Sequence, residues 1–114
     1  MEDCIFCKIA AGTIPSKKVY EDDECFAFHD ISPQGPVHFL VIPKKHIRNI
    51  METTPEDEPL LGRLLYRAQK LAVECGCGER GARFVINCKD NGGQTVDHLH
   101  IHVVGGRFME WPPG

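Results

Sequence analysis

The chain lacks both a long apolar run and an excess of basic charge. Its 114 residues carry 13 Lys and Arg against 16 Asp and Glu, which gives a formal net charge of −3. A membrane-spanning helix needs about 20 consecutive apolar residues, and a protein that binds the nucleic-acid backbone usually presents a basic face. We therefore expect neither a membrane protein nor a nucleic-acid-binding protein.

The first residues also lack the features of a targeting segment. The stretch MEDCIFCKIAAG is acidic from the start and has no basic n-region, no long apolar h-region and no arginine. These absences argue against a secretory signal and a transit peptide, so we expect a cytoplasmic protein. In that reducing compartment the six cysteines are expected to be thiols or metal ligands and not a disulfide framework.

No repeat, low-complexity tract or long linker divides the sequence, so we predict a single domain over residues 1–114. Apolar residues recur at helical spacing from Pro55 to Gly78, and a shorter helical pattern runs from Cys4 to Gly12. Alternating apolar segments predict five strands, at 17–21, 25–30, 37–43, 83–88 and 97–104. This order of elements predicts an α+β fold with the long helix covering one face of the sheet and the last two strands antiparallel.

The stretch DHLHIHVV, residues 97–104, is the strongest chemical signal in the chain. Strand side chains alternate between faces, so His98, His100 and His102 are predicted to share one face while Leu99 and Ile101 enter a core. Imidazole is both a nucleophile and a metal ligand near neutral pH. From the residues alone, the stretch predicts either nucleophilic catalysis, with the central His100 as the nucleophile, or a metal-dependent phosphohydrolase.

The loop before this stretch favours an anionic substrate. GGQT, residues 92–95, offers exposed backbone N–H groups and two hydrogen-bonding side chains close to His98. A glycine-containing hairpin turn has the same composition, so the loop alone leaves the function open.

Several motifs together resemble the histidine triad (HIT) superfamily, and in particular its Hint branch of nucleoside phosphoramidases. They are HLHIHVV, FHDISPQGPVHFLVIPKKHI, GGQTV and the C-terminal GGR…WPPG. The resemblance extends from Ile5 to the last glycine. It implies a HIT-like fold and a homodimer in which the sheets of two subunits join.

The resemblance also implies an activity, the hydrolysis of the P–N bond of a purine nucleoside 5′-monophosphoramidate through a covalent nucleotidyl-histidine. His100 matches the nucleophile, His102 a phosphate contact, and His98 and His38 supporting histidines. The other positions that match substrate contacts are Asp30 for the ribose, Phe6, Phe28 and Ile31 for the base, Asn87 for the phosphate, and Thr95, Gln94 and Trp111 for the leaving-group side. Asp30 can also be explained as a turn-capping aspartate, and the two phenylalanines as core residues.

Two cysteines near the start of the chain raise the question of a metal. Cys4-x-x-Cys7 by itself is typical of a metal half-site or a redox pair. Some bacterial members of the superfamily hold a structural zinc, and the resemblance places Cys4, Cys7, His46 and His98 at those positions. We expect no cofactor for catalysis and a structural zinc at this site.

The resemblance leaves three other functions to consider beside the phosphoramidase. One is the metal-dependent phosphohydrolase, a second is a regulatory module that binds nucleotides, and the third is a dinucleoside polyphosphate hydrolase of the same superfamily. Two positions depart from the Hint pattern, because Asp97 stands where an aromatic residue is usual and Lys89 where glycine is frequent. Asp97 is predicted to point away from the histidine face, and a glycine at 89 would suggest a positive φ.

Overall fold

The computed structural model describes residues 3–114, and its centre is a sheet of five antiparallel strands. The strands pair in the order β1-β2-β3-β5-β4. Their bounds are Lys18–Glu21 for β1, Cys25–His29 for β2, Val37–Pro43 for β3, Ala82–Val85 for β4 and Ile101–Gly105 for β5. The predicted α+β sheet and its antiparallel last pair are confirmed.

Two helices pack on this sheet. Helix α1 spans Ile5–Ala10 and ends before Gly12, because the φ of 82° at Gly12 is incompatible with a right-handed helix. Helix α2 spans Glu58–Ala72. It follows a 3-10 turn at Pro55–Asp57 that Asp57 caps by accepting the Thr54 N–H at 2.9 Å, and it continues into a π-helical turn that ends at Cys77.

The sheet separates two apolar clusters, because strand side chains alternate between its faces. One cluster lies under α2 and includes Ala27, Phe39, Leu64, Leu99 and Val103. The other lies under α1 and includes Phe6, Phe28, Leu40 and Ile42. Helix α2 therefore covers one face as predicted, and the opposite face is left to α1 and the histidines.

The structure corrects three details of the prediction. Strand β5 begins at Ile101 and not at 97, because the Leu99 N–H donates to the carbonyl of Ile47 at 2.7 Å and not to a neighbouring strand. Strand β4 ends at Val85 and not at 88. Leu65 belongs to the apolar residues at helical spacing between Pro55 and Gly78, from which a buried position is expected, but it is 53% exposed and is not among the buried residues of α2.

No helix among residues 3–114 has the length and apolar character that crossing a bilayer requires.

Candidate active site

Four histidines meet on the sheet face opposite α2. His38 lies on β3 and His102 on β5, while His98 and His100 lie in the extended segment that leads into β5. The ring centroids of His38 and His102 are 5.2 Å apart, and those of His100 and His102 are 4.9 Å apart. The predicted alternation holds through this segment, since Leu99, Ile101 and Val103 are buried in the cluster under α2.

The backbone decides the tautomer of His100. Its Nδ1 lies 2.6 Å from the carbonyl oxygen of His98, and a carbonyl only accepts, so Nδ1 carries the proton. The lone pair of the neutral ring is therefore on Nε2. Within residues 3–114 no hydrogen bond involves that nitrogen. It is also not among the buried side-chain atoms that lack a partner, since in the described residues the only such N or O atom is Oδ1 of Asn49. His100 thus presents an available nucleophilic nitrogen.

A second chain of hydrogen bonds orients His102. The Gln34 N–H donates to Nδ1 of His38 at 3.0 Å, so the neutral His38 ring carries its proton on Nε2. That Nε2–H faces Nδ1 of His102 at 3.0 Å and Oδ2 of Asp30 at 3.4 Å. With Nδ1 accepting, His102 carries its own proton on Nε2, the nitrogen directed away from His38.

Burial keeps the rings of His98, His100 and His102 neutral. His98 and His100 are 0% and 4% exposed, and burial lowers the pKa of both imidazoles below their usual value. Burial lowers the pKa of His102 to about 4, with repulsion from His100 and His38 in the same direction. At pH 7 the site therefore combines an unprotonated nucleophile with an imidazole N–H donor.

His98 faces a different group of side chains. Its Nε2–H donates to the carbonyl of Pro43 at 2.8 Å, which leaves the Nδ1 lone pair facing Sγ of Cys4 at 3.2 Å and Sγ of Cys7 at 3.5 Å. Nδ1 of His46 lies 3.3 Å from Sγ of Cys7. These four residues, the Cys2His2 cluster, place their ligand atoms within 4.8 Å of one another.

The geometry of the Cys2His2 cluster fits a zinc ion. Zinc binds thiolate at about 2.3 Å and imidazole at about 2.0–2.1 Å, and a tetrahedral ion then holds its ligand atoms roughly 3.5 Å apart. The hydrogen bond from His98 to Pro43 is the outer contact that commonly fixes the tautomer of a ligating histidine. Without a metal, burial and the Cys4 thiol raise the pKa of Cys7 to about 11.

Asp30, His38 and His102 form a second compact group, with ligand atoms also within 4.8 Å of one another. A metal here would need the lone pair of His38 on Nε2. The Gln34 N–H holds that lone pair on Nδ1 instead. The hydrogen-bond pattern thus disfavours a metal at this group and supports a proton network.

The structure places the predicted base and ribose contacts next to the histidines, with one exception. Phe6 lies 5.1 Å from His100 and 5.4 Å from Phe28, both between ring centroids and in edge-to-face contact. Asp30 uses Oδ1 to accept the Ser32 N–H at 2.7 Å, so it caps the turn as well as facing His38 through Oδ2. The exception is Ile31, the chain neighbour of Asp30, which is 99% exposed.

The predicted leaving-group and phosphate residues differ in their surroundings and in their exposure to solvent. Thr95 lines an open cleft of about 570 Å³ beside Cys4 and His46. The Gln94 side chain is held by backbone groups of its own loop and of the segment after β3, because it donates to the carbonyls of Val96 and Arg48 and accepts from the Lys89 N–H. Asn87 is half-buried two residues beyond Val85, the register partner of His102. Trp111 is 82% exposed.

Both departures from the Hint pattern can be located. Asp97 is exposed, and its Oδ2 lies 3.5 Å from Nη2 of Arg48. Lys89 adopts a φ of 56°, the left-handed region in which glycine would be unstrained. The loop therefore keeps this backbone conformation without the glycine.

Sequence reasoning missed three contributors to the site. Two are backbone groups, the N–H of Gln34 and the carbonyl of Pro43. The third is Arg107, whose Nε donates to the carbonyl of Gln34 at 2.6 Å. Backbone groups leave no residue-type signal in the sequence. The segments that contain Gln34 and Arg107, SPQGP and GGR, were noted only as parts of the motifs that carry the family resemblance.

Known proteins similar to this chain share one domain type. Residues 11–109 match the HIT domain family. A HIT-like protein of Synechococcus elongatus is 55% identical over 113 residues, which cover 99% of this chain and 98% of that protein. The crystal structure of a HIT family hydrolase from Legionella pneumophila superposes with a TM-score of 0.96 at 52% identity, covering 98% and 100% of the two chains. A histidine triad nucleotide-binding protein from Candida albicans has a TM-score of 0.83 at 31% identity, with 96% and 83% covered.

Proposed function

The chain belongs to the HIT family, and on that premise we propose that it hydrolyses purine nucleoside 5′-monophosphoramidates through a nucleotidyl-histidine. One observation carries the proposal. The hydrogen bond from Nδ1 of His100 to the His98 carbonyl leaves Nε2 as a nucleophile of fixed direction. The similarity to a hydrolase from Legionella pneumophila and to a nucleotide-binding protein from Candida albicans supports hydrolysis of a nucleotide in general.

The proposed reaction has two displacements at the α-phosphorus. In the first, Nε2 of His100 bonds to phosphorus while the P–N bond breaks, and the amine leaves with a proton drawn from the surrounding water. In the second, water attacks phosphorus and releases a proton to the solvent, which balances the proton taken by the amine, while the bond to His100 breaks and the nucleoside monophosphate is released. Phosphoryl transfer depends mostly on positioning and charge stabilisation, which histidines and backbone amides can provide.

We assign the remaining residues to binding. The Nε2–H of His102 is suited to donate to a phosphoryl oxygen, because Nδ1 already accepts from His38. Asp30 presents a carboxylate oxygen that can accept from the ribose hydroxyls. Phe6 and Phe28 form an edge-to-face pair that can wall a purine.

The covalent intermediate provides the test. Brief exposure to an AMP-amine substrate should add one nucleotidyl group to the intact mass of the wild-type protein. His100→Ala should show no adduct and a turnover lowered by at least about 10³-fold. His29→Ala is the matched control, because His29 is exposed at the end of β2 outside the cluster.

Two results would contradict the proposal. An adduct that persists in His100→Ala would move the nucleophile elsewhere. Nucleotide binding by the wild-type protein without turnover or adduct would favour the regulatory module.

We further propose that the Cys2His2 cluster binds a structural zinc. Two thiolates and two imidazoles form a closed tetrahedral site, which would stabilise the fold without activating water. The chelator test for this ion is given with the whole-molecule predictions below.

We also propose that the chain forms a homodimer through β4. That strand lies at the edge of the sheet, and Phe84 within it and Ile86 directly after it are each 41% exposed. Phe108 and Trp111 in the C-terminal segment are more than 80% exposed. Exposed edges and apolar patches favour association.

Sedimentation at micromolar concentration should therefore give twice the mass of one chain. Phe84→Asp should reduce it to one, whereas Tyr66→Asp on the exposed surface of α2 should not. A wild-type protein that sediments as a single chain would contradict the dimer.

A further inference from the structure

One residue of the loop between β2 and β3 is held by hydrogen bonds at both of its backbone polar groups. The N–H of Gln34 donates to Nδ1 of His38 at 3.0 Å. Its carbonyl accepts from Nε of Arg107 at 2.6 Å. Gln34 thus connects the guanidinium of Arg107 with the imidazole network of the site.

Two glycines, Gly35 and Gly106, allow the two segments to come this close. A Cβ on Gly35 would lie 2.9 Å from the carbonyl oxygen of Gly105, and a Cβ on Gly106 would lie 2.9 Å from the Pro36 side chain. Gly106 also has a φ of 87°, which other residues rarely adopt. The SPQGP and GGR segments therefore form one packed junction, and Arg107 extends from it to Gln34.

The junction determines where protons lie in the histidine network. As long as the Gln34 N–H donates to Nδ1 of His38, the neutral ring keeps its proton on Nε2 and donates it toward His102 and Asp30. If that N–H turned away, the proton of His38 could move to Nδ1, and Nδ1 of His102 would lose its donor. His102 could then present either nitrogen as its donor.

We propose that Arg107 is a positioning residue. By holding the Gln34 carbonyl, it keeps the Gln34 N–H on His38 and so fixes the tautomers of His38 and His102. Arg107 acts through Gln34 and is assigned no contact with the substrate. Its effect on the rate rests on the proposed function, whereas its effect on the tautomers does not.

The test combines NMR with kinetics. Two-bond ¹H–¹⁵N correlations of the imidazoles in the wild-type protein should report His38 and His102 with the proton on Nε2. Arg107→Ala should shift His38 toward a mixture of the two neutral tautomers. It should also lower kcat on an AMP-amine substrate by about 10-fold or more, with a smaller change in KM, because misplacing a group by a small distance is costly.

Three variants separate this role from general stability. Arg107→Lys retains a donor and should recover much of the wild-type spectrum and rate. Arg83→Ala removes the donors to the carbonyls of Met109 and Glu110 without touching Gln34, so its His38 spectrum should remain that of the wild type. Arg80→Ala, at an exposed position, controls for the loss of charge.

Unchanged His38 tautomers in a folded Arg107→Ala protein would overturn the proposal. An equal effect of Arg83→Ala would also overturn it, because the order of the C-terminal segment would then be the cause. If the wild-type protein did not turn over the phosphoramidate, the proposed function would fail while the spectra would still test the positioning role.

Discussion

At the scale of single residues, protonation in the site is set by three backbone groups. The carbonyls of His98 and Pro43 fix the tautomers of His100 and His98, and the N–H of Gln34 fixes that of His38. A neutral imidazole has one donor and one acceptor nitrogen, so a single backbone partner settles both. Burial then prevents protonation at pH 7.

This burial makes stability depend on the protonation of His102. Its pKa is lowered to about 4, mainly by burial, with His100 and His38 adding repulsion and Asp30 opposing them. An unfolded imidazole titrates near 6.5. Below pH 6.5 the imidazole of the unfolded chain takes up a proton, whereas the folded ring takes one up only near pH 4. The free energy of unfolding therefore falls as the pH drops from about 6.5 to about 4, and it is retained above pH 6.5.

Urea midpoints measured at several pH values check this prediction. Between pH 6.5 and 4 the midpoint of the wild-type protein should fall more steeply than that of His102→Gln. The exposed His29→Gln should parallel the wild type. Equal slopes for the wild type and His102→Gln would show that this ring does not resist protonation.

At the scale of elements, helix α2 combines good packing with one weak position. Its buried residues are Leu60, Leu64, Ala68, Leu71 and Ala72. Gly62 is exposed, and a Cβ added there would meet nothing within 4 Å. Glycine in a helix interior costs about 1 kcal/mol relative to alanine. The helix is therefore open to a simple stabilising substitution.

Gly62→Ala should raise the free energy of unfolding by about 1 kcal/mol. Gly12→Ala provides the contrast, because the space around Gly12 is also open but its φ is 82°. That substitution should lower the free energy of unfolding by about 1 kcal/mol. Denaturant titrations of both variants measure the difference, and effects of the same sign would contradict the explanation.

The end of β5 packs against the end of the π-helical turn without room for a side chain. A Cβ on Gly105 would lie 2.5 Å from Sγ of Cys77. Gly105→Ala should therefore destabilise the protein by about 1–3 kcal/mol. The double variant Gly105→Ala/Cys77→Ala should recover part of this loss in denaturant titrations, since it removes the clashing sulfur. Purely additive effects would rule out the clash as the cause.

At the scale of the whole molecule, the Cys2His2 cluster connects distant parts of the chain. Cys4 and Cys7 belong to α1 and its cap, His46 follows β3, and His98 precedes β5. A metal at the cluster would tie α1, and with it Phe6, to the sheet. The contribution of a bound ligand to stability grows with the logarithm of its free concentration relative to Kd.

Chelation should reveal this contribution without any assay of activity. Native mass spectra should lose the mass of one zinc ion per chain on chelation. At free zinc about 100 times the Kd, zinc should stabilise the fold by about 2.7 kcal/mol relative to the chelated protein. Cys7→Ser should abolish both effects, and Cys88→Ser, outside the cluster, should preserve them. Equal melting temperatures with and without zinc would contradict the structural role.

The sequence by itself determined the features that depend on local pattern. Alternation placed Leu99, Ile101 and Val103 in the core, helical spacing placed the buried face of α2, and the motifs carried the family resemblance. These features follow from the period of each element, which neighbouring residues define. They were sufficient for the α+β sheet and for the identity of the histidines in the site.

Only the tertiary structure decided which nitrogen of each histidine carries the proton and where each ring points. The partners of His98 lie at Pro43, Cys4 and Cys7, and that of His38 is a backbone N–H whose carbonyl is held by Arg107. Likewise, β5 begins only at Ile101, because the Leu99 N–H donates to the carbonyl of Ile47 and not to a neighbouring strand. The physical reason is that hydrogen-bond partners are chosen by proximity in space. Pro43 lies 55 positions from His98 and Arg107 lies 73 positions from Gln34, and even the nearby backbone partners of His38 and His100 are set by the path of the chain and not by residue type.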